Sequence, residues 1–281
     1  MTFANTEQAE FWAARASSWM SLVSHHERVI GPAGRMAIDR LDAQPGQQII
    51  DLGCGTGQTT LEPADRVVPG GRALGIDITA ALLERAWEHA AAAGIDNIDF
   101  RHADVQSSEL GRGQFDGAFS RFGVMFFADP VAAFANVHRC LKPGAVLSFV
   151  CWQPVTSNQW MFIPAQAAVS VLGTPLEMPA PDAPGPFSLS DQDRVKPVLG
   201  SAGFRSIDVK AHDDLIRTPV EGISESADSA LRVGAVQRML EGANPETIQR
   251  VRAAIEEVMR ARVRDGEASL TRAIFLVRAV A

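Results

Sequence analysis

The chain has 281 residues, 46% of them apolar and 21% charged, with a net charge of −7 at neutral pH. That suffices for one generous α/β domain with an insertion, or for two small ones. No cluster of lysines or arginines offsets the negative charge, which argues against a duplex nucleic-acid partner, because phosphate binding needs a basic footprint. Cys54, Cys140 and Cys151 show no CxxC spacing, so neither a disulfide framework nor a zinc site is expected, and no metal.

The N-terminal stretch MTFANTEQAEFWAARASSWM has neither the basic-then-apolar profile of a signal peptide nor that of a transit peptide. No apolar run approaches the ~20 residues of a membrane helix. A cytoplasmic location without a membrane partner is expected. The first 45 residues read as helical, with Phe11, Trp12 and Trp19 among small residues.

From residue 46 to about 152, short apolar runs alternate with helix-length stretches. QQIIDL, GRALGID, NIDFRHAD, FDGAFSRF and GAVLSFVCW read as five strands, each apolar enough to be covered on both faces. Thr79 is placed to cap a helix whose Leu82, Leu83, Ala86, Trp87 and Ala90 share one face, and Gly94 to stop it. Asp129-Pro130 opens the next helix. Residues 154–173 read as a short helix, and the proline-rich stretch 174–187 as a surface connector. FRSIDVKAHDDLIRT alternates like a strand, Asn244-Pro245 starts a helix with an apolar stripe, and SLTRAIFLVRAV makes a last strand. Strand–helix alternation of this kind predicts a parallel, doubly wound sheet.

The chemistry is concentrated at residues 49–57, IIDLGCGTG, a strand that ends on an acid and runs into Gly53, Gly55 and Gly57. A dinucleotide-binding turn needs GxGxxG. Counting from Gly53 puts Gln58 at the third glycine, and counting from Gly55 puts Thr60 there, so neither register matches. The absence of GK[ST] excludes a Walker-type phosphate loop.

IIDLGCGTG, followed in order by GIDIT, HADVQ, FDGAFSRFGVMFFADP and LKPGAVLSFVCW, resembles the class I S-adenosylmethionine-dependent methyltransferases, near the branch of ubiquinone and menaquinone biosynthesis. The resemblance covers roughly residues 10–155. It implies a Rossmann-like, doubly wound seven-stranded sheet, mostly parallel with the last strand antiparallel. N-terminal helices and an insertion after the fifth strand complete it. It also implies a single domain, with a helical lid at 1–45, a cofactor-binding core at 46–152, a substrate cap at 153–190 and sheet-completing elements at 191–281. Pro63 departs from the family pattern, standing where relatives place a helix former, and predicts altered geometry in the first core helix.

The implied cofactor is S-adenosyl-L-methionine. By the resemblance, the bare backbone at Gly53, Cys54, Gly55 and Gly57 meets its methionine portion and offers N–H groups, and Asp51 meets its ammonium. Asp77 with Ile78 takes the ribose hydroxyls. Asp104 accepts from the adenine amino group, and the Val105 N–H faces a ring nitrogen. Ser120 and Trp19 complete the cofactor site. An acid after a strand is also a common helix cap, and Asp116, at the start of its strand, reads as structural. The acceptor pocket is expected to be lined by Arg121, Phe122, Met125, Trp152 and Trp160, with Phe126 and Met161.

Of the six histidines, His89, His138 and His212 read as structural and His102 as a neighbour of adenine. His25 and His26 are the candidates for a general base. The expected activity is methyl transfer to a small apolar or aromatic molecule by a monomer or homodimer, on C, N, O or S. The alternatives are the same cofactor used without methyl transfer, a regulatory protein that keeps the pocket, and last an NAD-dependent reductase. Asp77→Ala is expected to weaken S-adenosylmethionine binding more than tenfold, since about 1.5–3 kcal/mol rides on hydrogen bonds to a charged group; calorimetry checks this.

Overall fold

A computed structural model describes residues 3–177, 180 and 182–281. Within the proline-rich connector, Met178, Pro179 and Pro181 lie outside the described residues. Two helices, α1 (Thr6–Ser21) and α2 (Val23–Leu41), precede the alternating core. The core runs β1 (Gln48–Leu52), α3 (Gln58–Arg66), β2 (Arg72–Asp77), α4 (Ala80–Ala93), β3 (Ile98–His102), β4 (Phe115–Arg121), α5 (Pro130–Cys140) and β5 (Leu141–Trp152). There follow α6 (Gln159–Leu172), α7 (Gln192–Ser201), β6 (Arg205–Pro219), α8 (Ile223–Leu231) and α9 (Gly234–Met239). The last elements are α10 (Pro245–Arg260), the two-residue β7 (Val263–Arg264) and β8 (Glu267–Val280).

Hydrogen-bonded strands follow the order β3-β2-β1-β4-β5-β8-β6, with β7 paired to β8. The first five run parallel, and β8 is antiparallel to β5, Val146–Trp152 facing Val280–Ile274. The seven strands of the main path are those read from the sequence; β7 is additional. The strand order reverses direction between β1 and β4, and the carboxyl edge at such a switch point is where open α/β sheets bind ligands. Ile49, Ile50, Leu52, Ile76, Phe119, Leu147 and Phe149 are almost wholly shielded from solvent, as a sheet covered on both faces requires. α2 packs on β4 and β5 through Val29, Ile30, Ala33, Ala37, Ile38 and Leu41.

The chain divides into two compact units. The first contains residues 1–152, 181–211 and 274–281, and the second residues 153–180 and 212–273. The insertion expected at 153–190 is therefore shared between them. The second unit has an apolar core of its own, formed by α6, α8, α9, α10 and the start of β8, with Ile163, Ile223, Val251, Ile255 and Met259 at its centre.

Local expectations hold with three exceptions. Asp129 caps α5, its carboxylate accepting from the Ala132 N–H at 2.9 Å, and Gly94 ends α4 in the left-handed conformation. Thr79 occupies the N-cap position of α4 but makes no side-chain cap bond; its N–H is held by Asp77 instead. Trp87 is 47% exposed rather than core, meeting Phe100 in a T-shaped contact at 5.1 Å. Pro63 is accommodated because α3 is only nine residues long, which leaves little helix beyond the bond it removes. No helix among the described residues is long and apolar enough to cross a membrane.

Candidate active site

The turn after β1 is built to leave its backbone bare. Gly53, Gly55 and Gly57 adopt φ of 72°, 55° and 82°, values that side chains rarely tolerate. A Cβ at Gly57 would lie 2.7 Å from the Ala86 Cβ and 2.9 Å from Phe100, so that glycine lets α3 approach α4 and β3. At Gly55 a Cβ would meet only the Trp19 indole nitrogen, 4.0 Å away. The space above Gly55 is thus roofed by α1.

The turn's N–H groups, expected to face the ligand, are committed inside the protein. Gly53 and Cys54 both donate to the Ile76 carbonyl at 2.8 and 3.0 Å, and Gly57 donates to the Cys54 carbonyl. Gly55 donates to Asp77 Oδ2 at 2.8 Å, and Thr79 to Asp77 Oδ1 at 2.8 Å. Phosphate recognition relies on free N–H donors, and four of the turn's donors are already spent.

Acceptors dominate instead. Asp51 is fully buried. Its Oδ2 accepts from the hydroxyls of Thr59 at 2.6 Å and Thr60 at 2.8 Å, while its buried Oδ1 has no hydrogen-bond partner among the described residues. Burial pushes the Asp51 carboxyl up to about 6, against the pull of the two threonine hydroxyls. Burial also raises Asp77, opposed by the Gly55 and Thr79 N–H bonds. A buried acidic pair with an unsatisfied oxygen beside bare backbone calls for a cation that donates hydrogen bonds. The ammonium of S-adenosylmethionine fits Asp51, and each Asp77 oxygen retains a lone pair for a ribose hydroxyl.

A family model described as a methyltransferase domain matches residues 49–144, the segment from β1 to the start of β5 that frames this turn. The nocamycin O-methyltransferase of Saccharothrix syringae is 28% identical over 196 residues, covering 67% of this chain and 70% of that protein. The 2-phytyl-1,4-naphtoquinone methyltransferase of a Nostoc species is 35% identical over 145 residues, 51% of this chain and 61% of that one. Among solved structures, the Haemonchus contortus phosphoethanolamine N-methyltransferase 2 holding S-adenosylhomocysteine superposes with a TM-score of 0.54. It shares 17% identity and covers 89% of this chain and 52% of that one. In sequence and in fold the chain is similar to the class I S-adenosylmethionine-dependent methyltransferases. It is a methyltransferase whose cofactor is S-adenosylmethionine.

Several polar groups of residues expected at this methyltransferase's site are bonded within the protein. Ser120 is buried and its hydroxyl donates to the Leu52 carbonyl at 2.7 Å, so it ties β4 to β1 rather than facing a ligand. Asp104 is saturated by protein donors: the Asn5 N–H and amide, the Gln106 N–H and the Ser107 hydroxyl. It has no acceptor position left for an adenine amino group. The buried Val105 carbonyl accepts from Asn136 at 2.7 Å, and the Ile78 carbonyl is bonded to His102 Nε2 at 2.9 Å. Cys54 is buried, and burial raises its thiol far above the reactive range.

Arg121 does not stand free as a charge clamp. It lies against α2, where a Cβ at Gly34 would come within 2.5 Å of its Cδ. Its guanidinium grips Glu27 through both terminal nitrogens, which neutralises the charge. Asp116 is structural as expected, accepting from the Gln48 N–H and from Lys142.

Phe122 takes a φ of 61°, a genuine outlier for a bulky residue and a form of strain found at functional sites. Its ring stacks on Trp152 at 3.9 Å and 12°. Met125 is buried at the same sheet edge. Trp160 sits on α6, packed against the core of the second unit. The His26 ring lies against that of Trp19, tilted by 39° with centroids 4.2 Å apart, and the His25 ring is a further 6.3 Å away. Burial, then the charges of His25 and Arg121, hold His26 down at about 4, and its Nδ1 has no hydrogen-bond partner among the described residues.

Thr59, Thr60, Glu27, Trp12 and Asn5 were not legible as site residues. The hydroxyl pair directly after the turn was a usable signal for the first two, but pairing over 94 or 99 positions leaves none.

An ionised Asp51 costs the unliganded fold about 3 kcal/mol, because its carboxyl titrates near 6 when folded and 3.8 when unfolded. The folded state binds the extra proton between these values, so stability falls as pH rises from 4 to 6 and the cost is complete above 6. Asp51→Asn should therefore raise Tm at pH 8 by several degrees while weakening S-adenosylmethionine binding at least tenfold. Wild-type affinity should fall by up to about tenfold per pH unit below 6, as protons displace the cation. Calorimetry and thermal melts from pH 5 to 8 check both.

Proposed function

We propose that this methyltransferase methylates an acidic hydroxyl, a phenol or enol, on a planar and largely apolar small molecule, in the cytoplasm. The observation that carries the reading is an aromatic wall beside the glycine turn. Trp12 and Trp19 of α1 meet edge to face at 5.4 Å, and Trp12 meets Phe126 in the same way at 5.0 Å. At the carboxyl ends of β4 and β5, Phe122 and Trp152 form a second, buried aromatic stack. Trp12 and Trp19 are only partly buried, so their rings retain accessible surface. With Arg121 neutralised by Glu27, this wall offers no unpaired charge for an anionic substrate. A nocamycin O-methyltransferase among the relatives supports oxygen as acceptor, and a naphtoquinone methyltransferase supports a ring system as substrate.

When bound, S-adenosylmethionine supplies an activated methyl group with a good leaving group, so alignment is the larger part of the catalytic task. The aromatic wall orients a flat acceptor and excludes water. His26 is uncharged well below neutrality, which leaves its lone pair available to take the acceptor's proton. In this reading His26, whose ring lies against Trp19, is the base.

A panel of phenols, enolised diketones, alcohols, amines and thiols, assayed for S-adenosylhomocysteine release, should give turnover with the first two. Turnover confined to amines would overturn the reading. His26→Gln should lower kcat about 100-fold at unchanged S-adenosylhomocysteine affinity; an unaltered kcat would remove His26 from the chemistry.

A further inference from the structure

Asn5 stands at the N-cap position of α1, where an asparagine ordinarily turns its side-chain oxygen onto the free N–H groups of the first turn. Here it makes no such bond. Its Oδ1 instead accepts from the Ala128 N–H at 2.8 Å. Its Nδ2 donates to Asp104 Oδ1 at 2.9 Å, and its main-chain N–H donates to Asp104 Oδ2 at 3.1 Å. Beside it, the Ala4 N–H donates to the Ser107 hydroxyl at 3.2 Å. Asn5 is 4% exposed and Asp104 1%. The start of α1 is thus fastened to the loop after β3 by two buried, charge-assisted bonds to Asp104, and to the segment after β4 by the Asn5–Ala128 bond.

The rest of α1 gives that fastening a consequence. Trp12 and Trp19 hang from the same helix, and Trp19 roofs Gly55, where the cofactor's methionine portion would lie. Whatever holds Asn5 in place holds this roof. Asp104, meanwhile, has all four acceptor positions filled, by Asn5 twice, by the Gln106 N–H at 2.9 Å and by the Ser107 hydroxyl at 2.7 Å.

We propose that Asn5 is a clasp, a positioning residue that closes α1 over the adenosyl ligand, and that Asp104 acts on the ligand only through Asn5. The proposal rests on the cofactor assignment. It replaces direct reading of the adenine amino group by Asp104 with control of how long the ligand stays enclosed, since a lid must open before product leaves.

The test compares wild type, Asn5→Ala, Asp104→Asn and the double variant, with Asn5→Asp as a second route that sets two carboxylates face to face. Release of S-adenosylhomocysteine is followed by stopped-flow tryptophan fluorescence. Equilibrium affinity is measured for that compound and for its analogue carrying oxygen in place of the adenine amino group. Hydrogen exchange of α1 amides is recorded in the ligand-free protein. Release should accelerate about tenfold in Asn5→Ala, and more in Asn5→Asp. Exchange across α1 should rise in both. The double variant should be no worse than Asp104→Asn, and the preference between the two ligands should be the same in every protein. Asp104→Asn weakening only the amino-bearing ligand would overturn the proposal, as would Asn5→Ala leaving release and exchange unchanged. Wild-type protein binding neither ligand would overturn the cofactor reading instead, while the ligand-free exchange still decides whether Asn5 holds α1.

Discussion

The organising constraint is a buried carboxylate that the protein only half satisfies. Asp51 is sealed at the end of β1, with two threonine hydroxyls on one oxygen and no protein donor among the described residues on the other. A protein interior normally neutralises such a group or fills its lone pairs. Here the neighbouring donors are turned elsewhere: the N–H groups of Gly53, Cys54 and Gly57 go to carbonyls and that of Gly55 to Asp77. The site therefore selects charge before it selects shape. It disfavours phosphate and favours a cationic, hydrogen-bond-donating head group, which distinguishes it from a nucleotide site built on the same strand–turn–helix scaffold.

The lid completes this environment. α1 and α2 are joined to the strand ends by polar links, Asn5 to Asp104 and Glu27 to Arg121, and not by apolar packing alone. Polar links have defined geometry and break as units, which suits a cover that must close in one register and open for exchange. Gly34 belongs to the same arrangement, because only a residue without a Cβ lets the Arg121 side chain pass along α2 to Glu27. Between the links the lid presents tryptophans, so the surface that excludes water is also the surface that meets an apolar acceptor.

The second unit follows a different logic. Its helices bury an aliphatic core with its own centre, and its charged pairs, Arg252 with Asp228 and Arg272 with Asp214, bind its own elements together. Trp160 is part of that packing. In the sequence, an aromatic residue soon after the fifth strand looks like pocket lining, because nothing local separates a pocket wall from a small independent core.

What the sequence determined by itself was local. Apolar runs of strand length, the acid-glycine turn at 51–57, the cap at Asp129 and the stop at Gly94 all depend on backbone preferences within a few residues, and all are present in the fold. Resemblance to the family was legible for the same reason, since its motifs are short and ordered. Only the tertiary structure decided which polar atoms were already spoken for. Ser120, Asp104 and Arg121 sit at the strand ends where ligand-binding residues are expected, yet Leu52, Asn5 and Glu27 claim them from 68, 99 and 94 positions away. A hydrogen bond is satisfied by proximity in space, and chain separation carries no trace of it.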